Sequence, residues 1–162
     1  MASPLAVGTL TVFPKGATAG TDRLTSLASA TALGLGAVNQ SAAMAYDNNI
    51  APIRIKTGAS GTSASGYCRL WLVTSEDGTV YSDGIDPDTA TNQASKLSTS
   101  TLVSAVATIA NATTYHFPEF SVMSVLGFQP LYWAVVVENQ AGSTLDTSAA
   151  SFYSKYLPIA YA

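Results

Sequence analysis

One imidazole is available to this chain, His116 in Tyr115-His116-Phe117-Pro118-Glu119, and any triad-type hydrolysis would depend on it. A base of that kind needs a serine presented to it, and no Gly-x-Ser-x-Gly elbow occurs in the sequence. His116 therefore reads as a strand residue near a sheet edge. Lys56-Thr57-Gly58 matches one fragment of the serine β-lactamase signature, but the Ser-x-x-Lys that would carry the nucleophile is missing. Gly34-Leu35-Gly36 lacks the third glycine that closes a dinucleotide-binding turn. No catalytic residue and no cofactor-binding residue is assigned.

Three carboxylates, Asp83, Asp86 and Asp88, cluster on one short loop, and such a loop can collect the oxygen ligands that Ca²⁺ requires. EF-hand spacing and a closing bidentate Glu are absent, while Asp, Gly and Pro are what an exposed turn uses. An acidic turn is the expectation, with a cation site as the alternative. Cys68 has no second cysteine to pair with and reads as a small buried hydrophobe. Asn39-Gln40-Ser41 and Asn111-Ala112-Thr113 match the glycosylation acceptor pattern, but without a secretory route they read as turns. Trp71, Tyr81, Tyr132 and Trp133 could stack on sugar rings. Because Trp71 and Trp133 lie in the most apolar runs, core or interface packing is preferred.

The elements that must carry these residues read as strands. Leu5–Phe13 alternates loosely and stops at Pro14-Lys15-Gly16. Asp22–Gln40 reads as a loop or arm with one short helix. In Ile50–Thr57, Ile53 and Ile55 share one face, with Arg54 and Lys56 on the other. Tyr67–Thr74, a Ser75-Glu76-Asp77-Gly78 turn and Thr79–Ser82 read as a hairpin. Its first strand is apolar on both faces, so both must be covered. A polar tract through Ser100 reads as a surface loop. Thr101–Ile109 should place Val103, Ala105, Ala107 and Ile109 on one side, and Thr114–Phe117 follows. Leu131–Val137, β-branched and aromatic, is the expected central core strand. Ser151–Leu157 is the last. About eight strands with Gly, Pro, Asn and Asp between them predict an all-β antiparallel sandwich, jelly-roll-like, with an extended N-terminal arm. Residues 1–162 read as a single domain in which 1–45 is partly an arm or loop packing on neighbours.

Composition narrows the function class. Hydrophobic residues make up 48% of the 162, and charged residues only 10%, against about 25% in ordinary domains. That is too little charge for a normal monomer surface and too much apolar content for global disorder. The net charge of −3, with Arg23, Arg54, Lys56, Arg69, Lys96 and Lys155 scattered, gives no basic stripe for nucleic acid. No signal-peptide pattern opens the chain and no apolar stretch reaches bilayer-spanning length, so cytoplasmic synthesis and assembly are expected.

Three runs carry a resemblance: Thr11-Val12-Phe13-Pro14-Lys15-Gly16, Trp71-Leu72-Val73-Thr74-Ser75-Glu76-Asp77-Gly78, and Leu131-Tyr132-Trp133-Ala134-Val135-Val136-Val137-Glu138-Asn139. Together, over residues 5 to 157, they resemble the small virion proteins of tailed bacteriophages, most closely the capsid decoration or cement proteins. The resemblance implies a β-sandwich, often trimeric, that binds the major capsid protein on the outside of the shell. It supplies no functional residue. Tail or head-fibre components with a carbohydrate-binding aromatic face share the same features. For a decoration subunit the contacting parts are expected to be Ala2–Gln40 and the C-terminal strand to Ala162, with both chain ends held by neighbours.

Overall fold

The computed structural model describes residues 5–13, 23–40, 47–87 and 97–161. Its regular elements are almost all strands: β1 (Leu5–Val7), β2 (Thr11–Val12), β3 (Thr31–Gly34), β4 (Val38–Asn39), β5 (Asp47–Ile50), β6 (Ile53–Lys56), β7 (Tyr67–Ser75), β8 (Thr101–Ala107), β9 (Thr114–Phe117), β10 (Phe120–Ser121), β11 (Tyr132–Gln140) and β12 (Lys155–Tyr161). One short helix, α1 (Val122–Leu126), lies between β10 and β11.

Every ladder among the described residues is antiparallel. One sheet runs β3-β11-β7-β8, with β4 also on β11; another runs β1-β12-β5-β10, with β2 also on β12; β6 and β9 form a separate pair. A shared core joins them. Leu33, Leu70, Leu72, Trp133, Val135 and Val137 come from the first sheet, Ile50 from the second, and Ile53, Ile55 and Phe117 from the pair. The expected antiparallel β-sandwich is the observed architecture.

Tyr132–Val137 forms the middle of the molecule, as composition predicted for Leu131–Val137, whereas Leu131 itself precedes the strand and is exposed. β11 is paired along its whole length with β7 and on its other edge with β3 and β4. Trp133, Val135 and Val137 point into the main core, and Ala134 and Val136 point the other way, into a second apolar cluster with Ala32, Val73, Tyr81, Ile85 and Leu97. A strand buried on both faces needs no alternation, which is why this run is continuously apolar. The same cover explains β7, where Cys68, Leu70 and Leu72 face the main core while Val73 and part of Trp71 meet the second cluster.

The second cluster exists because the chain leaves β7 without turning back on itself. Thr79–Ser82 forms no strand, and the hairpin expected there is replaced by pairing of β7 with the distant β8. Local bonds explain the departure. The Ser75 hydroxyl donates to Asp77 Oδ1 at 2.9 Å and accepts from the N–H of Gly78 at 2.9 Å. Asp77 Oδ1 in turn accepts from the N–H groups of Thr79 and Val80 at 2.8 and 2.9 Å. With those donors consumed by a side chain, the returning segment has lost the backbone partners of a ladder. It crosses the outer face of the sheet and lays Tyr81 and Ile85 over Val73, Ala134 and Val136.

Other expectations need correction. The stretch Asp22–Gln40 contains two strands in its described part, with Leu24, Leu27, Leu33, Leu35 and Val38 buried in the chain's own core. It is stitched to the far end of the chain by Ser26 N–H to Asp146 O and Leu145 N–H to Leu27 O, both 3.0 Å. Residues 23–40 are therefore no arm. The outer strands tie to each other, since β12 pairs with both β1 and β2. In β8 the register shifts by one residue between Leu70 and Trp71, so the single face expected for Val103, Ala105, Ala107 and Ile109 is broken: Val103 and Val106 pack on the core, and Ile109 is exposed. The last strand begins at Lys155, later than expected. Pro14-Lys15-Gly16, Lys96 and most of the tract before Ser100 lie outside the described residues.

Candidate functional site

Among the described residues that could do chemistry, the fold brings none into a catalytic grouping. His116 is exposed on β9, opposite Arg54 of β6, in a shallow depression completed by Pro52 and Tyr153. No serine or carboxylate lines that depression. Lys56 pairs with Asp146 at 3.0 Å, and Thr57 is buried with its hydroxyl donating to Ala110 O at 2.7 Å. Gly34 sits where a Cβ would come within 2.6 Å of Pro87 backbone atoms, so its role is to let the crossing segment lie on the sheet. Asn111 lies in a turn, as expected, where its Oδ1 accepts from Thr62 N–H and hydroxyl at 3.0 and 2.8 Å, whereas Asn39, also expected in a turn, ends β4.

The acidic loop is occupied by its own chain. Asp83 accepts from the backbone N–H of Thr99 at 2.8 Å and of Ser100 at 2.6 Å, and from the hydroxyls of Thr99, Ser100 and Ser98. Partial burial opposes ionisation, but the donors from Ser100 and Thr99 outweigh it and hold this carboxyl down at about 2. The carboxylate thus pins residues 98–100 at the entrance of β8. Asp86 is exposed, and Asp88 lies outside the described residues. Among the described residues no cluster of His, Cys, Asp and Glu is arranged to hold a metal ion.

Of the four aromatics that could form a stacking platform, two are removed from solvent. Trp133 is fully buried, edge-on to Phe13 at 5.9 Å and to Tyr156 at 5.6 Å, and Tyr81 is buried in the second cluster. Trp71 and Tyr132 are half-buried. Cys68 is free and buried, as expected, and burial pushes its thiol up to about 11.

What the surface does offer is an apolar groove that no sequence motif marks. It has a volume of about 820 Å³ and lies between the end of β7 with its following turn and the segment that enters β11. Val80, Phe128 and Leu131 line it with 71%, 54% and 53% of their surfaces exposed, although large apolar side chains are ordinarily buried. Two local devices hold its walls. On one side the Ser75–Asp77 bonds fix Val80, with Gly78 at φ +76° packed so closely on the Tyr132 ring that a Cβ would approach to 2.8 Å. On the other, Ser121 caps α1 by accepting from Ser124 N–H at 2.9 Å, and Gly127 closes the helix at φ +78°, turning Phe128 outward.

The rim of this groove is acidic. Glu76 and Asp77 both line it, and the N–H donors of Val80 and Thr79 hold the Asp77 carboxyl well below the usual carboxylate range. No Lys or Arg is among the lining residues. Gln129, between Phe128 and Pro130, also lines it, with its carboxamide oxygen and nitrogen both buried and without a hydrogen-bond partner among the described residues. No family model and no curated protein matches this chain.

Proposed function

We propose that this chain is a non-enzymatic virion structural protein of a tailed bacteriophage, one that binds the outer surface of the major capsid lattice as a decoration or cement protein. The observation that carries this reading is the exposed trio Val80, Phe128 and Leu131 gathered into one groove on a chain with only 10% charged residues. Apolar surface collected in one place is characteristic of protein contact sites rather than of free surface. The resemblance in cadence to phage virion proteins gives the partner class. A subunit that binds only the assembled shell stabilises that state by linkage, because its binding free energy is absent from the dissociated one. Self-association, as a homotrimer, belongs to the same proposal.

The test is occupancy. Purified chain added to undecorated phage shells should co-sediment at a fixed ratio, and cryo-electron microscopy should show it in many copies on the lattice. Binding confined to a vertex, neck or tail would exclude the decoration role.

A tail or head-fibre component with a sugar-binding face is the second reading. It is favoured by one surface feature, the half-buried Trp71 and Tyr67 with Arg69 stacked 4.3 Å over the Tyr67 ring. Trp133 and Tyr81 have no part in it because they are buried. A glycan array with wild type and Trp71→Ala decides the matter: glycan binding lost in the variant supports the fibre reading, and no binding by either excludes it.

A further inference from the structure

We propose that the Val80–Phe128–Leu131 groove seats an apolar segment of the shell protein that carries a lysine or arginine beside its apolar side chains. The inference rests on the decoration reading and adds to it the binding site and the chemistry of the partner.

The floor supplies the apolar half of the argument. Val80, Phe128 and Leu131 each expose more than half of their surface, and all three border one concavity with Pro130. At about 820 Å³ the groove is a half-open depression with room for a few side chains. The rim supplies the charge. Glu76 is exposed, Asp77 is kept ionised by its own turn, and no cation among the lining residues balances them. A partner that is apolar throughout would desolvate Glu76 and Asp77 without supplying a counter-charge, which costs free energy. A neutral or acidic segment is disfavoured for that reason, and a lysine or arginine at the edge of the apolar contact satisfies both halves.

The experiment uses co-sedimentation of the chain with undecorated shells, for wild type, Leu131→Asp, Phe128→Ser, Glu76→Lys and the remote control His116→Ala. All four positions are exposed, and an unchanged thermal melt for each variant establishes that it folds. Leu131→Asp and Phe128→Ser should weaken shell binding at least tenfold. Glu76→Lys should weaken it severalfold and flatten its salt dependence, and His116→Ala should bind as wild type does. In parallel, benzoylphenylalanine in place of Val80 should crosslink to a shell peptide that is apolar and contains a lysine or arginine. Wild type that fails to sediment with shells overturns the decoration reading itself. Wild type that binds, with the groove variants binding equally well or with the crosslink on an acidic peptide, overturns the groove alone.

Discussion

The indole N–H of Trp71 donates to the Glu138 carboxylate at 2.9 Å, diagonally across the β7–β11 ladder on the face turned away from the main core. Glu138 is buried, its other oxygen accepts from Gln140 at 3.1 Å, and Arg69 lies 3.8 Å away. One carboxylate thus gathers donors from two strands and lets polar side chains continue where the crossing segment no longer covers the sheet. Glu138→Ala strands the indole and amide donors, so the expected loss is about 1–3 kcal/mol, the usual cost of leaving buried polar groups unmade. Urea denaturation followed by circular dichroism measures it.

Asn139, next along β11, faces the opposite way and ties three backbone segments together. Its Nδ2 donates to Leu27 O and Ser143 O at 2.8 and 2.9 Å, and its Oδ1 accepts from Ala141 N–H at 2.9 Å. Asn139→Leu should destabilise the fold by at least about 2 kcal/mol, since each buried group left unpaired costs about 1–3 kcal/mol. Hydrogen exchange should show amides at 24–30 and 141–146 losing protection first. Uniform loss across β11 would contradict the role of a local tie.

Asp83 makes a pH-dependent clasp on residues 98–100. Its folded carboxyl titrates at about 2, below the ordinary value near 3.9, so its contribution is fully present above pH ~4 and is lost as the pH falls from there towards 2. Asp83→Asn should melt below wild type at pH 7, and the two melting temperatures should converge as the pH approaches 2. A difference that persists unchanged into acid would show that the clasp does not depend on ionisation.

Cys68 is shielded by both position and protonation. Its thiol stays protonated far above neutral pH because burial penalises the thiolate. Iodoacetamide should leave the native chain unmodified at pH 8 and label it only at the rate of unfolding. Fast labelling would mean that the inner face of β7 opens independently of the rest.

Trp133 is the test of core packing. It is fully buried and touches Phe13 and Tyr156 through their ring edges. Trp133→Ala should cost about 3–5 kcal/mol, as truncation of a large buried aromatic does. In the wild type, acrylamide should quench the half-buried Trp71 and spare Trp133.

The amino-acid order alone determined the elements whose burial is written in side-chain period: the β-branched run of β11, the two-faced β7, and the Ile53/Ile55 face of β6. It also determined that Cys68 and Trp133 belong inside, because their surroundings in sequence are apolar. What the order could not decide was pairing. Ser75 and Asp77 look like the turn of a hairpin, and only the hydrogen bonds they make show that the turn traps its own backbone donors and sends the chain across the sheet to β8. The short strands at Thr31–Gly34 and Val38–Asn39 were hidden for a related reason: they are held by β11, about a hundred residues away, and carry little strand propensity of their own. The groove has the same origin. Val80, Phe128 and Leu131 are unremarkable apolar residues in the sequence, and the turn after β7 and the cap of α1 leave them exposed side by side.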